Sequence, residues 1–176
     1  MIKKMIILSL LLQISIAQLI LPENNSNLNY THIMFEWNQM ENADQYQIHL
    51  SENTLFSSIL VDTISESLIY IDKDNIDWDS QYYWRIRPID DNNNLGEWSN
   101  THSFSTVSKR SNADAVVYDS ENTQEGLTIF SSFFDYFSAM IDQNGNEVWN
   151  TEDNNLVYYT TDGYGNLYGT QFNINE

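Results

Sequence analysis

Between residues 19 and 106 the chain alternates apolar and polar side chains in short runs, divided by clusters of Asn and Asp. Ile33, Phe35 and Trp37 share one side of a period-two stretch while Met34 and Glu36 take the other, the spacing of a half-buried strand. Tyr46, Ile48 and Leu50 repeat the pattern, as do Tyr82, Trp84, Ile86 and Pro88. Phe104 lies in a last strand, with Trp98 near its start. Turn-forming residues gather at 39–42, 51–54, 72–80 and 90–96, and no helix-period stretch of useful length occurs. About seven strands over about 90 residues is the spacing of a two-sheet antiparallel sandwich. Trp37 and Tyr46 are predicted to fill the space between its sheets. Pro88 removes a ladder donor, so its strand is expected to fray or bulge there.

From residue 125 the pattern becomes that of an antiparallel β-meander. Five strands are predicted at 127–131, 136–142, 147–150, 156–161 and 167–172, rich in Tyr, Phe and Val. Asn144-Gly145 lies between two of them and is a hairpin signal, because both residues tolerate positive φ. A second glycine-bearing turn spans 162–166. Asp142, Asn144 and Asn146 also match the first three ligand positions of a calcium loop. The glycine comes two places early, however, and no Glu stands at the twelfth position, so the hairpin is the preferred reading. Residues 108–124 change character, with Lys109-Arg110 and then polar residues around one apolar patch at 115–118. They read as a linker, with a weak dibasic processing signal.

The first residues add a different element. Lys3 and Lys4 precede about a dozen apolar residues, and Ser15-Ile16-Ala17 closes the stretch. This is the three-part pattern of a signal peptide over 1–17, and the apolar run is short of the roughly 20 residues of a spanning helix. The expected product is secreted: extracellular, periplasmic or held at a cell surface, with no membrane span after signal removal.

Composition narrows the partners. The chain carries 7 basic and 25 acidic residues, a net charge of −18. Losing Lys3 and Lys4 with the leader leaves 5 basic residues and a net charge of −20. Such a surface repels phosphate backbones, so nucleic acid is excluded as a partner. With 41% hydrophobic and 14% aromatic residues the chain is expected to fold despite its charge. It has no cysteine, which removes disulfides, thiolate metal sites and a cysteine nucleophile. Asn24-Asn25-Ser26 and Asn29-Tyr30-Thr31 match the N-glycosylation pattern, as chance would allow in so asparagine-rich a chain.

Candidate chemistry is sparse. Arg85 and Arg87 form a basic pair on the polar face of one strand; cross-strand pairing with carboxylates is expected, and an acidic ligand is the alternative. Trp78 and Trp98 are read as packing residues, with a sugar-stacking platform as the alternative. His32, His49 and His102 lie in separate strands or at their ends without metal-ligand spacing. Serines are plentiful, but no G-x-S-x-G elbow is present. The expected set of catalytic, cofactor-binding and metal-binding residues is therefore none, and a protein or carbohydrate ligand on the sandwich is the partner left open.

Two resemblances add to this. Phe35-Glu36-Trp37, Ala43 to Ile48, Tyr82 to Arg87, Gly96-Glu97-Trp98-Ser99 and Ser103 to Thr106 together resemble a fibronectin type III domain over residues 19–107. That resemblance implies a sandwich in which the Tyr82 hydroxyl ties its strand back to the preceding loop. Gly126-Leu127-Thr128-Ile129-Phe130, followed by Ala139 to Trp149, resembles the opening of an arylsulfotransferase-type β-propeller, so residues 125–176 look like an incomplete propeller segment. Here Trp149 directly follows Val148, a small departure from the usual spacing. The resemblance implies sulfuryl transfer from a phenolic sulfate through a histidine, yet no histidine follows His102. The chain therefore reads as an N-terminal fragment of a secreted arylsulfotransferase-like protein, inactive alone. The alternative is a secreted binding or adhesion protein without catalysis.

Overall fold

The computed structural model describes residues 18–112, 122 and 126–173. The leader at 1–17 and the apolar patch at 115–118 lie outside the described residues. The fold is all-β. Eight strands build the first unit: β1 (Leu19–Leu21), β2 (Ser26–Leu28), β3 (Ile33–Trp37), β4 (Gln45–Ser51), β5 (Ile59–Ser65), β6 (Ile69–Asp72), β7 (Gln81–Ile89) and β8 (His102–Thr106). They form two facing sheets, ordered β1-β3-β6 and β2-β8-β7-β4-β5. All pairings are antiparallel except β2 with β8, which run parallel. Among the described residues no helix is long and apolar enough to cross a membrane.

The period-two pattern places the core. Ile33, Phe35 and Trp37 from one sheet meet Tyr46, Ile48, Leu50, Tyr82, Trp84, Ile86 and Phe104 from the other, and all are buried. Trp37 and Tyr46 meet edge-on, with ring centroids 5.6 Å apart, and the Tyr46 hydroxyl accepts the Met40 N–H at 2.7 Å. Phe35 packs edge-on against Trp84 at 5.1 Å. Such aromatic pairs add to the area they bury. The Tyr82 hydroxyl accepts the Asp77 N–H at 2.8 Å, which closes the corner that the type III resemblance implies. Asn42, Asp79 and Asn93 take positive φ in three of the predicted turns.

Pro88 behaves differently from expectation. Strand β7 runs through it to Ile89, with Tyr46 opposite Pro88 and no register shift against β4. Alternation explains this. The Ile86 N–H bonds to the Ser99 hydroxyl, and the Pro88 carbonyl accepts the Gly96 N–H at 2.9 Å. Even-numbered residues of β7 thus direct their backbone groups away from β4. The missing N–H falls where β8 has ended, so no bond to β4 is lost. Gly96 suits the spot because an added Cβ would lie 2.6 Å from the Pro88 ring.

The second unit has its five strands near the predicted positions: β9 (Thr128–Ser132), β10 (Phe137–Ile141), β11 (Glu147–Asn150), β12 (Leu156–Thr161) and β13 (Leu167–Gln171). They divide into a three-stranded sheet, β11-β10-β9, and a β12-β13 hairpin. Hydroxyls join the two pieces. Ser138 donates to the Leu156 carbonyl and accepts the Tyr158 N–H, at 2.9 and 2.8 Å, and Ser131 donates to the Tyr158 carbonyl at 3.1 Å. Side chains thus stand in for a ladder on that edge of β12. The apolar core here is small: Phe137, Ala139, Ile141, Val148 and Val157 are its buried members. Phe133, Phe134, Tyr159 and Tyr164 stand exposed.

The first residues after β8 are packed, which an independent linker would not require. Asn29 to Thr31 run antiparallel to β11: the Thr31 N–H bonds to the Val148 carbonyl at 3.0 Å, and the Asn150 N–H to the Asn29 carbonyl at 3.1 Å. Behind this bridge, the buried Glu147 carboxylate accepts the backbone N–H groups of Arg110 and Ser111 at 2.9 and 2.6 Å. It also accepts the Asn150 side-chain amide at 2.7 Å. A carboxylate that receives three N–H donors is satisfied without a cation.

Candidate functional site

Two regions gather the polar residues singled out in the sequence. The first lies on the outer face of the five-stranded sheet. Alternation sends Tyr46, Ile48, Trp84 and Ile86 inward, so Gln47, His49, Arg85 and Arg87 point outward. The register sets Gln47 opposite Arg87 and His49 opposite Arg85. Arg87 gives Nε and Nη2 to the Gln47 side-chain oxygen at 2.8 and 2.6 Å. The Arg85 guanidinium lies 3.9 Å from the Phe56 ring centre and 4.3 Å from that of Trp98; Arg87 lies 4.5 Å from the same indole. These are cation–π distances.

Phe56, which sequence reasoning missed, takes a left-handed φ of 52° while buried against this cluster. For a bulky residue that conformation costs on the order of 1–3 kcal/mol, and no local sequence signal announces it.

Neither Arg85 nor Arg87 has the expected carboxylate partner within 4.0 Å among the described residues. Among the described residues, the ion pairs within 4.0 Å are His49 with Asp62 and Arg110 with Asp153. Asp62 lies one strand further out, opposite His49, and its carboxylate also accepts the Gln47 amide. The strand register explains the difference: it sets neutral Gln47 and His49, not acids, beside the arginines. Burial, against an opposing pull from Asp62, holds the His49 pKa below its ordinary value, and Arg85 and Arg87 lower it further. Burial and then the Arg87 charge lower the Arg85 pKa.

The second region is the cleft where the two units meet. It has a volume of about 480 Å³ and is lined by His32, Lys73, Asp77, Trp78, Lys109 and Asp142 among others. Trp78 donates its indole N–H to the Glu147 carbonyl at 2.9 Å, so it serves the junction. Trp98 belongs to the arginine cluster, and the two indoles do not share a platform. The histidines are likewise apart: His32 in the cleft, His49 on the outer face, and His102 edge-on to Trp84 at 5.9 Å. Among the described residues, no group of three or more His, Cys, Asp or Glu side chains is placed to hold a metal.

The loop at 142–146 uses its carboxylate internally. Asp142 accepts the N–H groups of Asn144 and Asn146, each at 2.8 Å, and the Asn146 side-chain amide at 2.9 Å. Asp90 with Asn94 and Asp162 with Asn166 repeat the arrangement. Burial pushes the Asp142 pKa up, but the Asn146 and Asn144 donors outweigh it and hold the carboxyl below the usual range. The Asn166 amide leads the donors that bring Asp162 down to about 2. These bonds fit a structural turn that keeps its acid ionised, the hairpin expected from Asn144-Gly145.

No protein-family profile matches the chain, and no curated protein sequence does. Among solved structures it is similar to a β-1,2-glucanase from Parabacteroides distasonis, at 19% identity with a TM-score of 0.40 over 54% of this chain. It is also similar to an α-L-rhamnosidase from Dictyoglumus thermophilum, at 14% identity and a TM-score of 0.41 over 68% of this chain. The chain spans 13% and 15% of the lengths of those two proteins. A human fibronectin type III domain, from fibronectin type III domain containing protein 3, matches at 16% identity and a TM-score of 0.41, over 54% of this chain and 87% of that one.

Proposed function

We propose that this chain is the non-catalytic N-terminal region of a longer secreted, arylsulfotransferase-like protein. In this reading the type III-like sandwich is an accessory module that caps and orients the first sheet of a larger β-domain. One observation carries it: the pairing of residues 29–31 with β11, backed by Glu147, covers one edge of the β11-β10-β9 sheet. The β9 edge pairs with no further strand among the described residues. An edge left open in this way is what a sheet awaiting a neighbouring blade would show. Catalysis belongs to the longer protein, with a phenolic sulfate as donor. The purified chain is expected to give no transfer from a chromogenic aryl sulfate to a phenol. Turnover by the chain alone would overturn this reading, as would a gene that continues past Glu176 without further four-stranded repeats.

The alternative, a secreted binding or adhesion protein without catalysis, draws its support from the stacked arginines of the outer face.

A further inference from the structure

We propose that Arg85 and Arg87, both stacked on Trp98, form an oxyanion-binding site for a sulfate or carboxylate group. The inference is independent of whether a longer protein carries an enzyme.

The argument begins with charge. The chain has 25 acidic residues and 7 basic ones, so a cation on its surface would ordinarily find a carboxylate. These two guanidiniums sit two residues apart on one strand face and over one indole, at 4.3 and 4.5 Å. Among the described residues neither has a carboxylate within ion-pairing distance. Their cross-strand neighbours, Gln47 and His49, bring no negative charge. Asp62 is the nearby acid, and it is engaged by His49 and Gln47. Two like charges held together without a counterion are unfavourable, and a bound oxyanion would relieve their repulsion.

Geometry points the same way. Phe56 and Trp98 fix the Arg85 guanidinium, and Gln47 fixes that of Arg87 through two hydrogen bonds. Both guanidiniums are therefore ordered before a ligand arrives, which lowers the entropy lost on binding, and with Nε and Nη2 of Arg87 engaged by Gln47 a ligand would meet its Nη1 edge. Arg85 Nε is buried and lacks a hydrogen-bond partner; a buried charged donor without an acceptor is costly. Planar guanidiniums suit bidentate recognition of carboxylate and sulfate oxygens. Phe56 holds its unfavourable backbone conformation at this site, where strain commonly accompanies function.

The test uses the full chain, labelled with nitrogen-15, titrated with sodium sulfate at constant ionic strength maintained by sodium chloride. The Arg85 and Arg87 Nε–H and Trp98 Nε1–H resonances report on the site. Saturable shifts are expected, with a dissociation constant on the order of millimolar. Arg87→Gln should weaken binding at least about tenfold by removing one of the two guanidinium charges. Gln47→Glu, which supplies an internal counterion while leaving both arginines in place, should abolish it; retained Trp84 and Tyr82 core resonances would confirm that each variant folds. A parallel titration with sodium acetate distinguishes the sources. Tighter binding of acetate assigns the site to carboxylates, and tighter binding of sulfate assigns it to sulfate groups. Shifts that follow ionic strength without saturating would overturn the proposal. So would unchanged sulfate affinity in a folded Gln47→Glu variant.

Discussion

Trp78 and Glu147 stand 69 residues apart in the chain, yet the indole N–H of one bonds to the backbone carbonyl of the other at 2.9 Å. The Glu147 side chain meanwhile receives the N–H groups of Arg110 and Ser111. One residue thus ties both the sandwich and the segment after β8 to the second sheet. Glu147→Ala should leave those two amides without their acceptor and destabilise the junction by about 1–3 kcal/mol. Hydrogen exchange should show early loss of protection at Arg110 and Ser111, with Trp84 and Ile86 unchanged. Uniform loss of protection across the sandwich would contradict this local role.

The two units should differ in autonomy. Residues 19–107 contain a continuous core from Leu19 to Phe104 and should unfold cooperatively in isolation. Residues 124–176 retain a few buried apolar side chains and lose their bridge to Asn29 and Thr31. They should show no sharp thermal transition, since small sheets with an open face fall short of independent stability. Calorimetry on the two segments checks this.

Acid should act on His49. Burial, outweighing the attraction of Asp62, lowers its pKa, and the arginine charges assist. The folded protein therefore binds fewer protons here than the unfolded chain. This contribution to stability is complete above the ordinary histidine value of about 6.5 and is lost as pH falls through the lower folded-state value. His49→Gln should flatten that part of the stability profile, measured by urea unfolding between neutral and mildly acidic pH. An unchanged slope would show that His49 is not responsible.

Asp162 should titrate near 2 by carboxyl NMR. Asn166→Ala removes the leading donor and should raise that value toward the ordinary aspartate range. Because Asp162 is exposed, global stability is expected to change little. A titration unaffected by the substitution would place the cause elsewhere in the loop.

Much of the sandwich could be read from alternation, because burying one face of a strand writes a period of two into the sequence. Trp37, Tyr46 and Tyr82 face inward as alternation assigned them, whereas the Tyr82 corner bond follows from the type III resemblance. The fate of Pro88 was not legible: alternation gives the facing of side chains, while the cost of a missing N–H depends on where the adjacent strand stops. The arginine cluster was half legible. Arg85 and Arg87 announce their common face, but Phe56 reaches them from a loop and Trp98 from outside any strand. The role of Glu147 was invisible, because its donors are backbone groups that any sequence would provide. Likewise the attachment of β12 to the β11-β10-β9 sheet depends on Ser131 and Ser138, two serines that nothing in the local sequence marks out.

Those two serines have a further consequence. A hydroxyl clasp releases in fewer steps than a full ladder, so the last hairpin can peel away while the rest of the molecule keeps its shape. A protease added sparingly would then trim the chain from this end first, leaving a resistant body that ends shortly after Asn150.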